Sequence, residues 1–396
     1  MKRAVISVIL GIAAILGSGV AAQATIYDKL VVFGDSLSDN GNLYLATQQV
    51  LPFGIGLPGS PYYNGRISNG PVYNEYLAES LGISIAPAMA GGSNYAFAAA
   101  ATDYYSASFL GLEQLFGFPS IIDEVIAYGE PLYNSGIVPS PNTLHIVWAG
   151  ANNLLDVIDD VAAVLPTNPV QASQIAQNGV IGALEDILDI SMAFDLLGID
   201  EMLMINMPDL GATPEALGAG TGFIGTTVAN YFNDLMDYMT PLMTWIDVIQ
   251  FDANAAMQDA IDNPLDHGLT NVTDACLTGG LGYLGGGTVC SNPDAYLFWD
   301  EIHPTTAVHQ FLADQIFQTL NGASAADLPM AVSAFDMDAL STVDRVAGSK
   351  SLFADFPALA FQIDPRQVPE PASALLVPMM LLGLVTLARR RRVAAR

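Results

Sequence analysis

The run Phe33-Gly34-Asp35-Ser36-Leu37-Ser38-Asp39-Asn40-Gly41-Asn42 follows the apolar residues 30–32 and puts a serine where a buried strand would end and a helix begin. At such a junction a hydroxyl can stand clear of the backbone at the carboxyl edge of a sheet. The first unpaired N–H groups of the helix would then point at any negative charge that develops beside it. That is a setting for a serine nucleophile. The same residues also make an ordinary turn with a helix cap, since Asp, Ser and Asn favour both.

Far along the chain, Asp300-Glu301-Ile302-His303-Pro304-Thr305 precedes a helical-looking run over 306–320. An Asp three residues before a His can hold one imidazole nitrogen so that the other takes a proton from serine. With an unperturbed pKa of about 6.5, histidine suits that exchange near neutrality. A purely structural reading also exists, with Pro304 stopping the backbone and Thr305 capping the next helix. Two more segments would complete a site. An expected strand over 143–148 runs into Ala149-Gly150-Ala151-Asn152-Asn153, and a side-chain amide there can donate to an oxyanion, typically lowering a barrier by about 3 kcal/mol. Gly91-Gly92-Ser93-Asn94-Tyr95-Ala96-Phe97-Ala98-Ala99-Ala100 is a small-residue turn whose backbone N–H groups can approach a reacting carbonyl, although small residues also suit close packing.

Taken in order, serine, small-residue turn, Gly-x-Asn and Asp-x-x-His-Pro resemble the GDSL family of SGNH hydrolases over roughly residues 30–320. Three further blocks share the resemblance: Arg66-Ile67-Ser68-Asn69-Gly70-Pro71-Val72, Asn206-Met207-Pro208-Asp209-Leu210-Gly211-Ala212-Thr213-Pro214, and Gly268-Leu269-Thr270-Asn271-Val272-Thr273. The layout is most similar to the branch that holds plant GDSL lipases and bacterial outer-membrane esterases. The resemblance implies Ser36 as nucleophile and, through its own N–H, as one oxyanion donor. It implies Asn152 as side-chain donor and His303 as general base oriented by Asp300. The family's second backbone donor is a glycine, matched here by Ala99, with Ala98 as the other candidate. Alanine keeps the N–H but is strained at positive φ. Asn153 stands where the family usually has Asp.

The elements needed to position these groups alternate along the chain. Strands are expected over 30–33, 144–148, 201–206 and 247–252, and helices over 71–81, 172–197, 226–246 and after His303. Strands separated by helices predict a parallel sheet covered on both faces, with the site at the strands' carboxyl ends. The resemblance makes this an α/β three-layer αβα sandwich, SGNH hydrolase-like and flavodoxin-like. No internal repeat is visible. The aromatic residues Tyr62, Tyr63, Tyr104, Tyr105 and Phe109 could line an acyl pocket or serve as core and loop packing.

Other chemistries fit poorly. Asp35 and Asp39 invite a calcium reading, but on the nearest template Leu37 falls on a ligand position and Gly41 one residue late. His145, His267 and His309 have no close Cys or carboxylate cluster of ligand spacing and are expected in core, loop and helix. No metal or cofactor is expected. The chain carries 12 Lys plus Arg against 40 Asp plus Glu, and none of the basic residues lies between Arg66 and Arg345. Such a surface repels nucleic acid and anionic membranes, and leaves few cations to hold phosphate in phosphoryl transfer.

The termini suggest export. Met1-Lys2-Arg3, apolar residues 4–20 and Ala22-Gln23-Ala24 read as a signal peptide over 1–24. Cys276 and Cys290, the only cysteines, are expected to form a disulfide worth about 3 kcal/mol in an exported protein. A hydrolase domain is expected over 25–345 and a linker over 346–367. The tail over 368–396 combines Val368-Pro369-Glu370-Pro371, an apolar run and Arg389-Arg390-Arg391-Arg392. It resembles a PEP-CTERM sorting signal of Gram-negative bacteria, which implies processing by an exosortase and a secreted or surface-associated product. A retained membrane anchor is the alternative. The combined expectation is an exported serine hydrolase that cleaves carboxylic esters, whether simple esters, lipids or acetylated glycans. Acyl transfer on the same site and a non-catalytic surface or matrix protein are the alternatives.

Overall fold

Four short apolar runs become β1 (Lys29–Gly34), β2 (Thr143–Trp148), β3 (Glu201–Ile205) and β4 (Asp247–Phe251), which pair in that order as one parallel sheet. The structure, a computed structural model, describes residues 27–103 and 118–322. The expected signal segment, linker and sorting tail lie outside the described residues, as do Tyr104, Tyr105 and Phe109. The first three strands are nearly continuous in burial because both faces of a parallel sheet are covered.

Alternation along the strands sorts the core into two halves. Val31, Phe33, Val147, Met202 and Met204 face one helical layer, and Leu30, Val32, Ile146, Leu203 and Ile205 face the other. In chain order the helices are α1 (Asn42–Val50), α2 (Tyr73–Leu81), α3 (Ile121–Ser135), α4 (Ala151–Val164), α5 (Pro169–Leu196), α6 (Pro214–Ala219), α7 (Gly222–Met239), α8 (Ala253–Asp262) and α9 (Thr306–Leu320). Tyr128 of α3, Leu154 of α4, Phe194 of α5 and Phe232 of α7 cover the first face. Leu77 of α2, Met257 of α8 and Leu312 of α9 cover the second, so the protein is a three-layer αβα sandwich. The ring of Phe33 meets those of Tyr95, Tyr128 and Phe194 at 5.7, 5.6 and 5.5 Å. Truncating Phe194 to alanine in that cluster would cost about 3–5 kcal/mol.

Two element boundaries differ from expectation for local reasons. The helix expected over 226–246 starts at Gly222 and ends at Met239, because Pro241 cannot donate into the ladder and the chain turns through a 3-10 segment, Thr240–Leu242. No helix begins at Ser36 either: residues 35–39 form a tight turn closed by the Ser38 and Asp39 N–H groups on the Asp35 carbonyl, and α1 starts at Asn42.

Beyond β4 the chain adds two small sheets. β5 (Asn271–Ala275) pairs with β8 (Tyr296–Phe298), and β6 (Leu277–Thr278) pairs with β7 (Thr288–Val289). A Cys276–Cys290 disulfide closes the loop that contains β6 and β7. No described helix is long and apolar enough to cross a membrane.

Candidate active site

Three strand ends supply the site. Gly34 ends β1 so close to β2 that a Cβ there would lie 2.5 Å from the Trp148 carbonyl, which explains glycine at this position. Ser36 follows at once, and its Oγ lies 2.8 Å from His303 Nε2. The other imidazole nitrogen, Nδ1, lies 2.9 Å from Asp300 Oδ1 and 3.0 Å from Oδ2. Asp300 Oδ1 also accepts the N–H groups of Ile302 and His303, which folds the Asp-x-x-His turn around its own carboxylate. The segment 66–72 docks that turn: Ser68 Oγ donates to the Pro304 carbonyl, and Asn69 Oδ1 accepts the first N–H of α9.

Asn152, the second residue of α4, donates Nδ2–H to the Ala100 carbonyl at 2.9 Å, leaving its other amide hydrogen for the cleft. Asn153 accepts the Thr102 N–H and donates to the Thr102 hydroxyl. A carboxylate in its place could accept but not donate. The consecutive N–H groups of Ala96, Phe97 and Ala98 are taken by Asn94 Oδ1, Glu124 Oε1 and Asp39 Oδ2. Those of Ser36 and Ala99 have no hydrogen-bond partner among the described residues. Ala99 holds φ at 69°, the left-handed region that glycine occupies without strain. Ser36, Ala99, Asn152 and His303 all line one solvent-open cleft, walled by apolar groups such as Leu37, Leu155, Met207, Leu210 and Ile302.

A buried polar scaffold holds the serine turn. Asp39 accepts from Gly41, Asn42 and Leu43, so the first donors of α1 are spent on Asp39 and do not face Ser36. The Ser38 carbonyl accepts from both Asn74 and Asn94, and Asn42 Nδ2 donates to the Asn94 and Ala96 carbonyls. Glu124 ties the end of β1 to the small-residue loop by accepting from Gly34 and Phe97.

Burial pushes Asp35 up to about 6, and pushes Asp39 up and Glu124 well above the usual carboxylate range. At Asp300 burial also pushes upward, but the charge of His303 and the hydrogen bonds from His303 and Ile302 win and hold it low. At His303 burial favours the neutral ring, yet the charge and hydrogen bond of Asp300 prevail, with smaller help from Asp35 and Glu215, and raise its pKa.

The remaining histidines have other roles. His145 is buried, paired with Tyr128 through Nε2 and pushed down to about 4 by burial. His309 accepts the Tyr73 N–H and is pushed down to about 3, also chiefly by burial, while His267 pairs with Asp259 at the surface.

Sequence reasoning missed Glu124 and assigned Tyr62 no more than pocket lining or packing. Glu124 shares a face with Ile121, Val125 and Tyr128 at helical spacing, a signal that places it inside. Tyr62 does not line the cleft. Its ring is buried against Trp299 and Tyr283, and its hydroxyl donates to Asp300 Oδ2 at 2.9 Å. Tyr63 is 41% exposed and lines no part of the cleft.

Comparison with known proteins gives a consistent result. The profile of a family described as GDSL-like Lipase/Acylhydrolase matches residues 30–316. Phosphatidylcholine-sterol acyltransferase of Aeromonas hydrophila is 25% identical over 329 residues, covering 73% of this chain and 88% of that protein. A GDSL esterase/lipase of Arabidopsis thaliana is 26% identical over 339 residues, covering 74% and 92% respectively. The thermolabile hemolysin of Vibrio parahaemolyticus is 23% identical over 315 residues, covering 76% and 66%.

Proposed function

The chain belongs to the GDSL-like lipase/acylhydrolase family, and on that premise we propose that it is an exported serine hydrolase that cleaves carboxylic esters through an acyl-enzyme. The observation that carries this reading is the 2.8 Å approach of Ser36 Oγ to His303 Nε2, with Asp300 on the opposite ring nitrogen. His303 Nε2 takes the serine proton as Oγ attacks the ester carbonyl. The tetrahedral oxyanion receives hydrogen bonds from the Ser36 and Ala99 N–H groups and from Asn152 Nδ2. Collapse expels the alcohol, which takes the proton back from His303, and water then repeats the sequence to free the acid. Apolar walls beside these donors suit an aliphatic acyl chain, and no cofactor enters any step.

Acyl transfer to an alcohol is the second reading, favoured by the similarity to an acyltransferase. It uses the same residues, with an alcohol in place of water in the second half. Export, an exosortase-type processing partner and a secreted or surface-associated product are proposed from the terminal segments.

The test is turnover of p-nitrophenyl esters of increasing acyl length by the full-length protein beside Ser36→Ala, with and without an added alcohol. Hydrolysis lost in the variant supports the esterase reading, and an ester product formed with the alcohol supports transfer. Absence of turnover together with no fluorophosphonate labelling of Ser36 would favour a non-catalytic surface protein.

A further inference from the structure

Asp300 receives two kinds of donor. Ile302 and His303 belong to its own turn, whereas the Tyr62 hydroxyl arrives from 238 residues away in the chain. Among the described residues Tyr62 is the one hydrogen-bond donor to Asp300 from outside residues 300–303. Without it, Oδ1 would stay tied to the backbone of its own turn, but Oδ2 would keep only the imidazole contact and nothing would fix it from outside.

Tyr62 is itself held by its own loop and by two neighbouring rings. Its N–H donates to the Gly59 carbonyl, and its ring meets Trp299 at 6.1 Å and Tyr283 at 5.9 Å. The loop beneath it is fastened at two points to the disulfide-closed segment, in the stretch between β6 and β7: the Gly59 N–H donates to the Tyr283 carbonyl and the Gly286 N–H to the Ser60 carbonyl, each at 2.8 Å. A donor fixed in this way is a rigid arm. Burial, and next the negative charge of Asp300, push the phenol pKa far up, so the hydroxyl stays a donor wherever the protein is folded.

We propose that Tyr62 is a positioning residue, whose hydroxyl orients the Asp300 carboxylate and limits how strongly that carboxylate holds positive charge on His303. The proposal rests on the reading of Ser36, His303 and Asp300 as a catalytic set. A carboxylate that already accepts a phenolic hydrogen has less negative charge to offer the imidazolium. Removing the hydroxyl should therefore loosen the orientation and strengthen the charge pair at once. The other titratable groups that bear on His303 and Asp300 are Asp35 in the serine turn, Glu215 of α6, Glu301, Tyr283 and His309 of α9. Tyr62→Phe alters none of them.

The experiment compares full-length wild type, Ser36→Ala and Tyr62→Phe on p-nitrophenyl butyrate across pH. The expected result for Tyr62→Phe is kcat lower by roughly tenfold, the scale of one hydrogen bond to a charged group. KM should stay within about twofold, since the hydroxyl does not line the cleft, and the acid limb of the rate profile should move to higher pH. The low-field proton NMR resonance of His303 Nδ1–H should shift as well. Pure packing predicts no change in any of these, because phenylalanine keeps the ring, and that result overturns the proposal while leaving the Ser36 dependence intact. A Ser36→Ala variant as active as wild type overturns both readings. If Tyr62→Phe does not fold, 3-fluorotyrosine introduced at position 62 gives a stronger donor and should move the acid limb down, and an unmoved limb there also overturns the assignment.

Discussion

Asn152 Nδ2 donates to the Ala100 carbonyl at 2.9 Å, so the side chain offered to the cleft is tied to the loop that presents the Ala99 N–H. Two of the three donors proposed for an oxyanion are thereby set relative to each other by one hydrogen bond. The third, the Ser36 N–H, is placed by the turn that Asp39, Asn74 and Asn94 hold from beneath. A rigid donor set needs no rearrangement when charge develops, which is where such groups gain most over water.

Asn152→Ala is expected to lower kcat by about 10²–10³-fold, or about 3–4 kcal/mol of barrier, with KM little changed. The amide is expected to matter more to the reaction than to the fold. Steady-state kinetics beside a thermal melt would separate the two, and a variant with near-normal kcat would remove Asn152 from the oxyanion site.

Ala99→Gly should preserve turnover within about twofold. Glycine keeps the N–H and relieves a φ of 69°, worth about 1–2 kcal/mol, while losing about 0.4–1 kcal/mol to the greater freedom of the unfolded chain and a little methyl packing. Stability should therefore stay within about 1 kcal/mol of wild type by chemical denaturation. A tenfold fall in kcat would mean that the methyl group itself shapes the cleft.

How much of this was legible depended on the distance over which each residue acts. Strands β1 to β4 and helix α9 follow from local apolar pattern, and the Asp300–His303 contact follows from a spacing of three. Ser36 and His303 are 267 residues apart, and only the order of motifs along the chain placed them together. The expectation that the first N–H groups of a helix would face Ser36 failed because the Asp39 carboxylate takes the first donors of α1, an outcome that depends on how the turn closes. The hydroxyl of Tyr62 carried no local signal, since its role comes from a loop docked on a disulfide-closed segment elsewhere.

The acid limb of kcat/KM should lie above the ordinary histidine value of 6.5. His303 must be neutral to accept the serine proton, and the net effect of its surroundings is to raise its pKa, so activity rises with pH through that raised value. A profile with its acid limb well below 6.5 would contradict the observed Asp300 pairing as the dominant influence on the ring.

Stability should run the other way. Asp35, Asp39, Glu124, Asp186 and Glu215 all titrate above their ordinary values, with burial the first cause of each. A group whose folded pKa is raised binds more protons folded than unfolded over the interval between the two values, so the stability it contributes is present at low pH and lost as pH rises through the folded value. For Asp35 and Asp186 that loss runs from the ordinary 3.8 to about 6. His303 adds a loss in the same direction above 6.5, while Asp300, held low, contributes stability that disappears only as pH falls below 3.8. With 40 acidic against 12 basic residues, mutual repulsion grows over the same rising range. Melting temperature is therefore expected to fall between about pH 5 and 8 at low ionic strength, while turnover rises, and added salt should recover part of the loss by screening the exposed charges. A melting temperature that climbs across that range would show that the buried carboxyls are held ionised by partners stronger than those seen around them.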